Sequence, residues 1–148
     1  MNLSESLKNG PIIIIEDDQD DHFLMENVFT ELQTRNQRLY FTKGIDALQY
    51  LQTTDQIPFL IICDLMLPQQ SGIDLKKQID QDPILRQRSI PFVFMSTSFR
   101  KELVSKAYLE LTIQGVFQKP NDYDQLKRTL DLLIGYWSVC EHPEPMHN

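Results

Sequence analysis

The sequence has no block of basic residues. Across 148 residues it carries 14 Lys and Arg against 21 Asp and Glu, a formal charge of −7. Such an acidic chain lacks the patch that a nucleic-acid backbone requires. Its apolar runs are short, none near the roughly 18 residues of a membrane span. Met1 to Gly10 lacks the charged-then-apolar order of a secretory signal. Cysteine is scarce, and Cys63 and Cys140 have no metal-ligand or redox spacing. The first apolar run is not followed by the glycine-rich loop that a nucleotide or flavin site would want. Glu16-Asp17-Asp18-Gln19 stands there instead, opposite in charge. There is no internal repeat, low-complexity block or linker to a second domain. These absences predict one soluble, cytoplasmic domain, with neither nucleic acid nor membrane as partner.

What is present is an alternation of apolar runs and amphipathic segments. Strands are predicted near residues 11–16, 38–42, 58–63, 91–96 and 115–118. Helices are predicted near 19–34, 44–53, 71–81, 99–110 and 122–138. Asp82-Pro83 reads as a chain break before the fourth strand. Leu126, Leu130, Leu133 and Trp137 form one helical stripe, and Ala47, Leu48 and Leu51 can pack on a sheet. Continuous apolar strands imply burial on both faces. The predicted fold class is therefore α/β: a doubly wound, five-stranded parallel sheet of order 2-1-3-4-5 with helices on both faces, flavodoxin-like. In that order the switch point lies between strands one and three.

Those two strands end in carboxylates: Glu16-Asp17 after Ile12 to Ile15, and Asp64 after Pro58 to Cys63. The fourth ends in Ser96-Thr97 and the fifth in Lys119-Pro120. Close carboxylates repel, and a hard divalent cation relieves the repulsion. Mg²⁺ (or Mn²⁺) suits such oxygen ligands, typically with a phosphate as well. Asp17 and Asp64 are the natural direct ligands, Glu16 acts directly or through water, and a backbone carbonyl just after Asp64 can add an oxygen. Asp64 is also the best nucleophile, able to accept a phosphoryl group as an acyl phosphate. Lys119 would neutralise phosphoryl oxygens and the Ser96 hydroxyl would donate to one of them.

Blander readings compete. The acids from Glu16 to Asp21 also suit a solvated helix start, with Asp18, Asp20 and Asp21 as surface residues or caps. A calcium loop is disfavoured, because Phe23 and Phe29 stand where Gly and Glu are needed. His22 reads as a surface or partner-facing side chain, since no second His or Cys has suitable spacing. Cys63 reads as a small buried thiol. Trp137 caps the last helix's apolar stripe or forms a partner surface.

Taken in order, these features resemble the response-regulator receiver family, the phosphoacceptor half of a two-component pair. The resemblance rests on Glu16-Asp17, Asp64-Leu65-Met66-Leu67-Pro68 with Ser71-Gly72, Ser96-Thr97 and Lys119-Pro120, and covers about Pro11 to Tyr136. It implies a receiver domain over residues 11–138, an extension over 1–10 and a tail over 139–148. It implies that Asp64 takes phosphate from a sensor histidine kinase or phosphotransfer protein. Asp17, Asp64 and the Met66 carbonyl would bind the metal, with Glu16 assisting through water. Ser96, Thr97, Val116, Lys119 and Pro120 fall at switch positions, and the Lys119-Pro120 peptide is expected cis. A narrower resemblance, to stand-alone receivers of bacterial phytochromes and related kinases, rests on Glu16 to His22 and on Gly135-Tyr136-Trp137 followed by Pro143.

The chain departs from the family pattern at Val116, where an aromatic is usual; Phe117, one residue on, faces the other way and is expected in the core. Activation is then expected to reshape helix 99–110 and strand five without aromatic rotation. Thr97 stands where a smaller residue is common. Met66 and Ser98 replace polar groups that position attacking water, so a long-lived phosphorylated state is expected. The output is expected to be a changed surface for a downstream protein, onward phosphotransfer or a homodimer through the last helix. Two alternatives remain: a phosphorylation-independent scaffold, and a phosphohydrolase. The second would want an acid at Met66.

Overall fold

A computed structural model of the chain describes residues 8–96, 101–110 and 113–142. Strands β1 (Ile12–Ile15), β2 (Arg38–Phe41), β3 (Leu60–Asp64), β6 (Phe92–Ser96) and β7 (Gly115–Gln118) form one parallel sheet of order β2-β1-β3-β6-β7. This is the predicted topology. Helices α1 (Gln19–Glu31), α2 (Gly44–Thr53), α3 (Gly72–Gln81), α4 (Pro83–Arg88), α5 (Lys101–Glu110) and α6 (Tyr123–Val139) cover it.

The strands alternate residues between two cores. Ile13 and Ile15 pack with Leu51 of α2, Ile79 of α3, Leu85 of α4 and Ala107 of α5. Ile12 and Ile14 pack with Met25, Val28 and Phe29 of α1 and with Leu126 and Leu130 of α6. Four consecutive isoleucines thus read as one apolar run because both faces are covered. Leu133 and Trp137 complete the α6 stripe at the edge of that second core.

Two elements escape the sequence reading. Asp82-Pro83 does not simply break the chain; it starts α4. Pro83 occupies the first turn, where its missing N–H costs nothing, and the Asp82 carboxylate accepts from Ile84 N and Leu85 N at 3.0 and 3.2 Å. The second is a small antiparallel pair, β4 (Met66–Leu67) with β5 (Gln70–Ser71). Pro68 and Gln69 form its turn, and Gln69 adopts φ 67°. Two-residue strands bury too little to leave a periodic signal.

Among the described residues no helix is long and apolar enough to cross a membrane. His142 at the start of the tail packs near Phe59 and Trp137, with ring centroids 6.2 and 6.4 Å away.

Candidate functional site

The sheet register assembles the site. Ile15 pairs with Cys63 across β1 and β3, so Glu16 emerges beside Asp64. Asp64 pairs with Met95, which places Ser96 one step beyond on the neighbouring strand. Ser96 pairs with Gln118, and the Lys119 N–H donates to the Ser96 carbonyl at 2.7 Å. Parallel strands therefore deliver Glu16, Asp64, Ser96 and Lys119 to one edge, and all four are buried.

Glu16, Asp17 and Asp64 each offer a carboxylate oxygen, and these lie within 4.8 Å of one another. Asp64 Oδ1 accepts the Met66 N–H at 2.9 Å, which holds the Met66 backbone at the site and leaves its side chain exposed. Burial, then the hydrogen bond and charge of Asp64, push the Glu16 carboxyl up to about 8; Lys119 and the Asp18 N–H pull it partly back. Burial also raises the Cys63 thiol well above its ordinary range, in keeping with an inert packing residue.

Helix α1 begins at this edge. Asp18 is its N-cap, accepting from Asp20 N at 2.9 Å. His22 Nε2 lies 2.5 Å from the Glu16 carbonyl oxygen, and its ring sits 5.0 Å from that of Tyr40. Asp21 is neither a cap nor a free surface acid: it forms an ion pair with Lys119. Sequence reading missed this because the two residues meet only after the sheet closes.

Lys119 Nζ is also 3.7 Å from Glu16 Oε2, and Asp64 is not among its ion-pair partners. Although buried, Nζ makes no hydrogen bond within the described residues. Val116 is half-buried against the core containing α2 to α5, and Phe117 packs on the opposite core, as expected. Thr97 and Ser98 lie outside the described residues. The Lys119-Pro120 peptide is trans, against the cis expectation. The trans form is the lower-energy isomer of most X-Pro bonds, and in it Lys119 still reaches the carboxylates.

The donor set fits a hard divalent cation: three carboxylates converge, and burial together with the Asp64 charge raises the Glu16 carboxyl, a cost that a cation would relieve. The Lys119 ammonium, at the same edge as these carboxylates, fits a further anion such as a phosphoryl group.

Residues 12–131 match the family model of the response regulator receiver domain. The chain belongs to that family. This receiver is 28% identical over 130 residues to a probable methanogenesis regulatory protein, FilR2, of Methanothrix harundinacea, covering 85% of the chain and 82% of the relative. It is 26% identical over 131 residues to the response regulator Rcp1 of Synechocystis, covering 85% and 87%. Among solved structures, the Mn²⁺-bound form of Rcp1 superimposes with a TM-score of 0.75 at 26% identity, over 90% of this chain and 98% of that one. The phosphorylated cyanobacterial phytochrome response regulator RcpA shares the fold, with a TM-score of 0.80 at 24% identity and the same coverage.

Proposed function

We propose that this receiver is a phosphorylation-controlled interaction module whose phosphoacceptor is Asp64. The observation that carries the reading is the convergence of Glu16, Asp17 and Asp64 with the Lys119 ammonium at one edge of the sheet. An oxygen of the Asp64 carboxylate attacks phosphorus, forming a mixed anhydride as the donor's P–N or P–O bond breaks. With phosphohistidine the leaving group is imidazole, and with acetyl phosphate it is acetate. Lys119 offsets negative charge on the phosphoryl oxygens, and the Ser96 hydroxyl donates to one of them. Mg²⁺ or Mn²⁺, held by Asp17, Asp64 and the Met66 carbonyl with Glu16 assisting, would supply the remaining electrostatic stabilisation. Rcp1, a relative with a Mn²⁺-bound structure, supports the metal class.

The donor is a sensor histidine kinase or phosphotransfer protein in the cytoplasm, and the chain resembles stand-alone receivers associated with phytochrome-type kinases at Glu16 to His22 and at Gly135-Tyr136-Trp137. The chain acts as acceptor and signal rather than as an enzyme with a separate substrate. Its output is a changed surface around α5 and β7, reached without rotation of Phe117, which is partly buried against the second core.

Intact mass after incubation with acetyl phosphate tests the reading. One phosphoryl adduct is expected, requiring both Mg²⁺ and Asp64 and absent from Asp64→Asn. An adduct that persists in Asp64→Asn, or none in wild type, would overturn it.

A further inference from the structure

We infer that Asp21 is a positioning residue that holds Lys119 in reserve until Asp64 carries a phosphoryl group. The inference rests on the proposed role of Asp64 and adds a control to it.

Lys119 has a choice of carboxylates at the sheet edge. It pairs with Asp21 on the first turn of α1, approaches Glu16 at 3.7 Å, and does not pair with Asp64. The Lys119 side chain is 8% exposed and that of Asp21 21%, so water screens the attraction only in part. The pair is one of opposite charges, so another anion can compete for the same ammonium once a phosphoryl group stands at Asp64.

The geometry on either side favours that exchange. The Lys119 backbone is fixed through its N–H to the Ser96 carbonyl at 2.7 Å, so only the side chain needs to move. Asp21 is fixed by its helix, whose first turn is tied down by the Asp18 cap. Asp21 thus competes with the phosphoryl group for one cation. Its carboxylate favours the unphosphorylated arrangement, and the difference in lysine affinity between the two arrangements sets the shift in population.

Asp21→Asn removes the competing charge at nearly constant volume. At saturating Mg²⁺, phosphorylation by acetyl phosphate and affinity for beryllofluoride, a phosphoryl mimic, should both rise roughly threefold to tenfold, the range from an exposed pair to a half-buried one. Asp21→Glu should restore wild-type values, which a merely structural role for Asp21 would not require. A double-mutant cycle with Lys119→Met, read as thermal unfolding without phosphodonor, should show coupling between the two positions that disappears with Mg²⁺ and beryllofluoride. Equal phosphoryl uptake by wild type and Asp21→Asn, or no coupling in the cycle, would overturn the inference. Absence of uptake in wild type would instead overturn the role of Asp64, with the cycle still deciding whether Asp21 holds Lys119.

Discussion

Gly72 lies directly against the Asp64 backbone: a Cβ at Gly72 would stand 2.3 Å from the Asp64 carbonyl oxygen and 2.9 Å from the Phe94 ring. The first neighbour is main chain and cannot rotate away. Gly72→Ala should therefore force α3 from β3 and cost about 1–3 kcal/mol, the usual penalty of overpacking. Denaturant unfolding measures the loss, and phosphoryl uptake by Asp64 should fall with it. A variant of wild-type stability would show that the α3 start yields more easily than the contact suggests.

Divalent cations should stabilise the protein through the three carboxylates. At a hundredfold excess over Kd, Mg²⁺ adds about 2.7 kcal/mol to a folded state that alone binds it. Asp17→Asn should lose that gain. It should also equal or exceed wild type in chelator, because like-charge repulsion is relieved. Thermal unfolding with Mg²⁺ and with EDTA reads both effects.

Glu26 ties α1 to β2. Arg38 donates to its two oxygens at 2.9 Å each, and the Tyr40 hydroxyl donates to it at 3.1 Å. The Arg38 hydrogen bond lowers the Glu26 carboxyl below its ordinary 4.5. A lowered acid contributes stability that is present above the unfolded value and lost as pH falls through the folded one. Wild type should therefore lose stability as pH drops below about 4.5, and Glu26→Gln should lose less over that interval. At neutral pH the substitution should cost about 1 kcal/mol, discounted because Glu26 is 42% exposed. Urea unfolding between pH 3 and pH 7 compares the slopes. Parallel curves would remove Glu26 from the acid response.

The α6 stripe makes a paired prediction. Leu130 is fully buried and Leu132 is 75% exposed. Leu130→Ala should cost about 2–5 kcal/mol, and Leu132→Ala less than about 0.5 kcal/mol. Comparable losses would mean that α6 is rotated from the packing described.

Gln33 ends α1 in the left-handed region at φ 57°, with its N–H bonded to the Thr30 carbonyl at 3.0 Å. Glycine favours that conformation. Gln33→Gly should raise stability by about 0.5–1 kcal/mol, seen as a higher urea midpoint with unchanged slope.

Topology and most of the site were legible in the sequence for one reason. The three central strands are continuous buried apolar runs, and the first polar residue of each marks the edge where the strands converge. Glu16, Asp64 and Ser96 could be found that way, and Lys119 follows Gln118 at the end of the less buried β7. Asp21 could not, because an acid on an exposed helical turn looks the same whether or not a lysine arrives from β7. The α4 helix was hidden by its own start signal: Pro83 reads as a breaker until Asp82 is seen capping the residues after it. The β4–β5 pair was too short to show a period. Val116 and Phe117 were separable in sequence, since a single step along a strand decides which core a side chain joins.

Asp82 closes α3 and opens α4 with no residue between them. The junction therefore fixes a phase relation between the two helices. One residue inserted after Asp82 would turn the downstream helix by about 100° around its own axis and carry Leu85 out of the core. This seam should tolerate changes of side chain far better than changes of length.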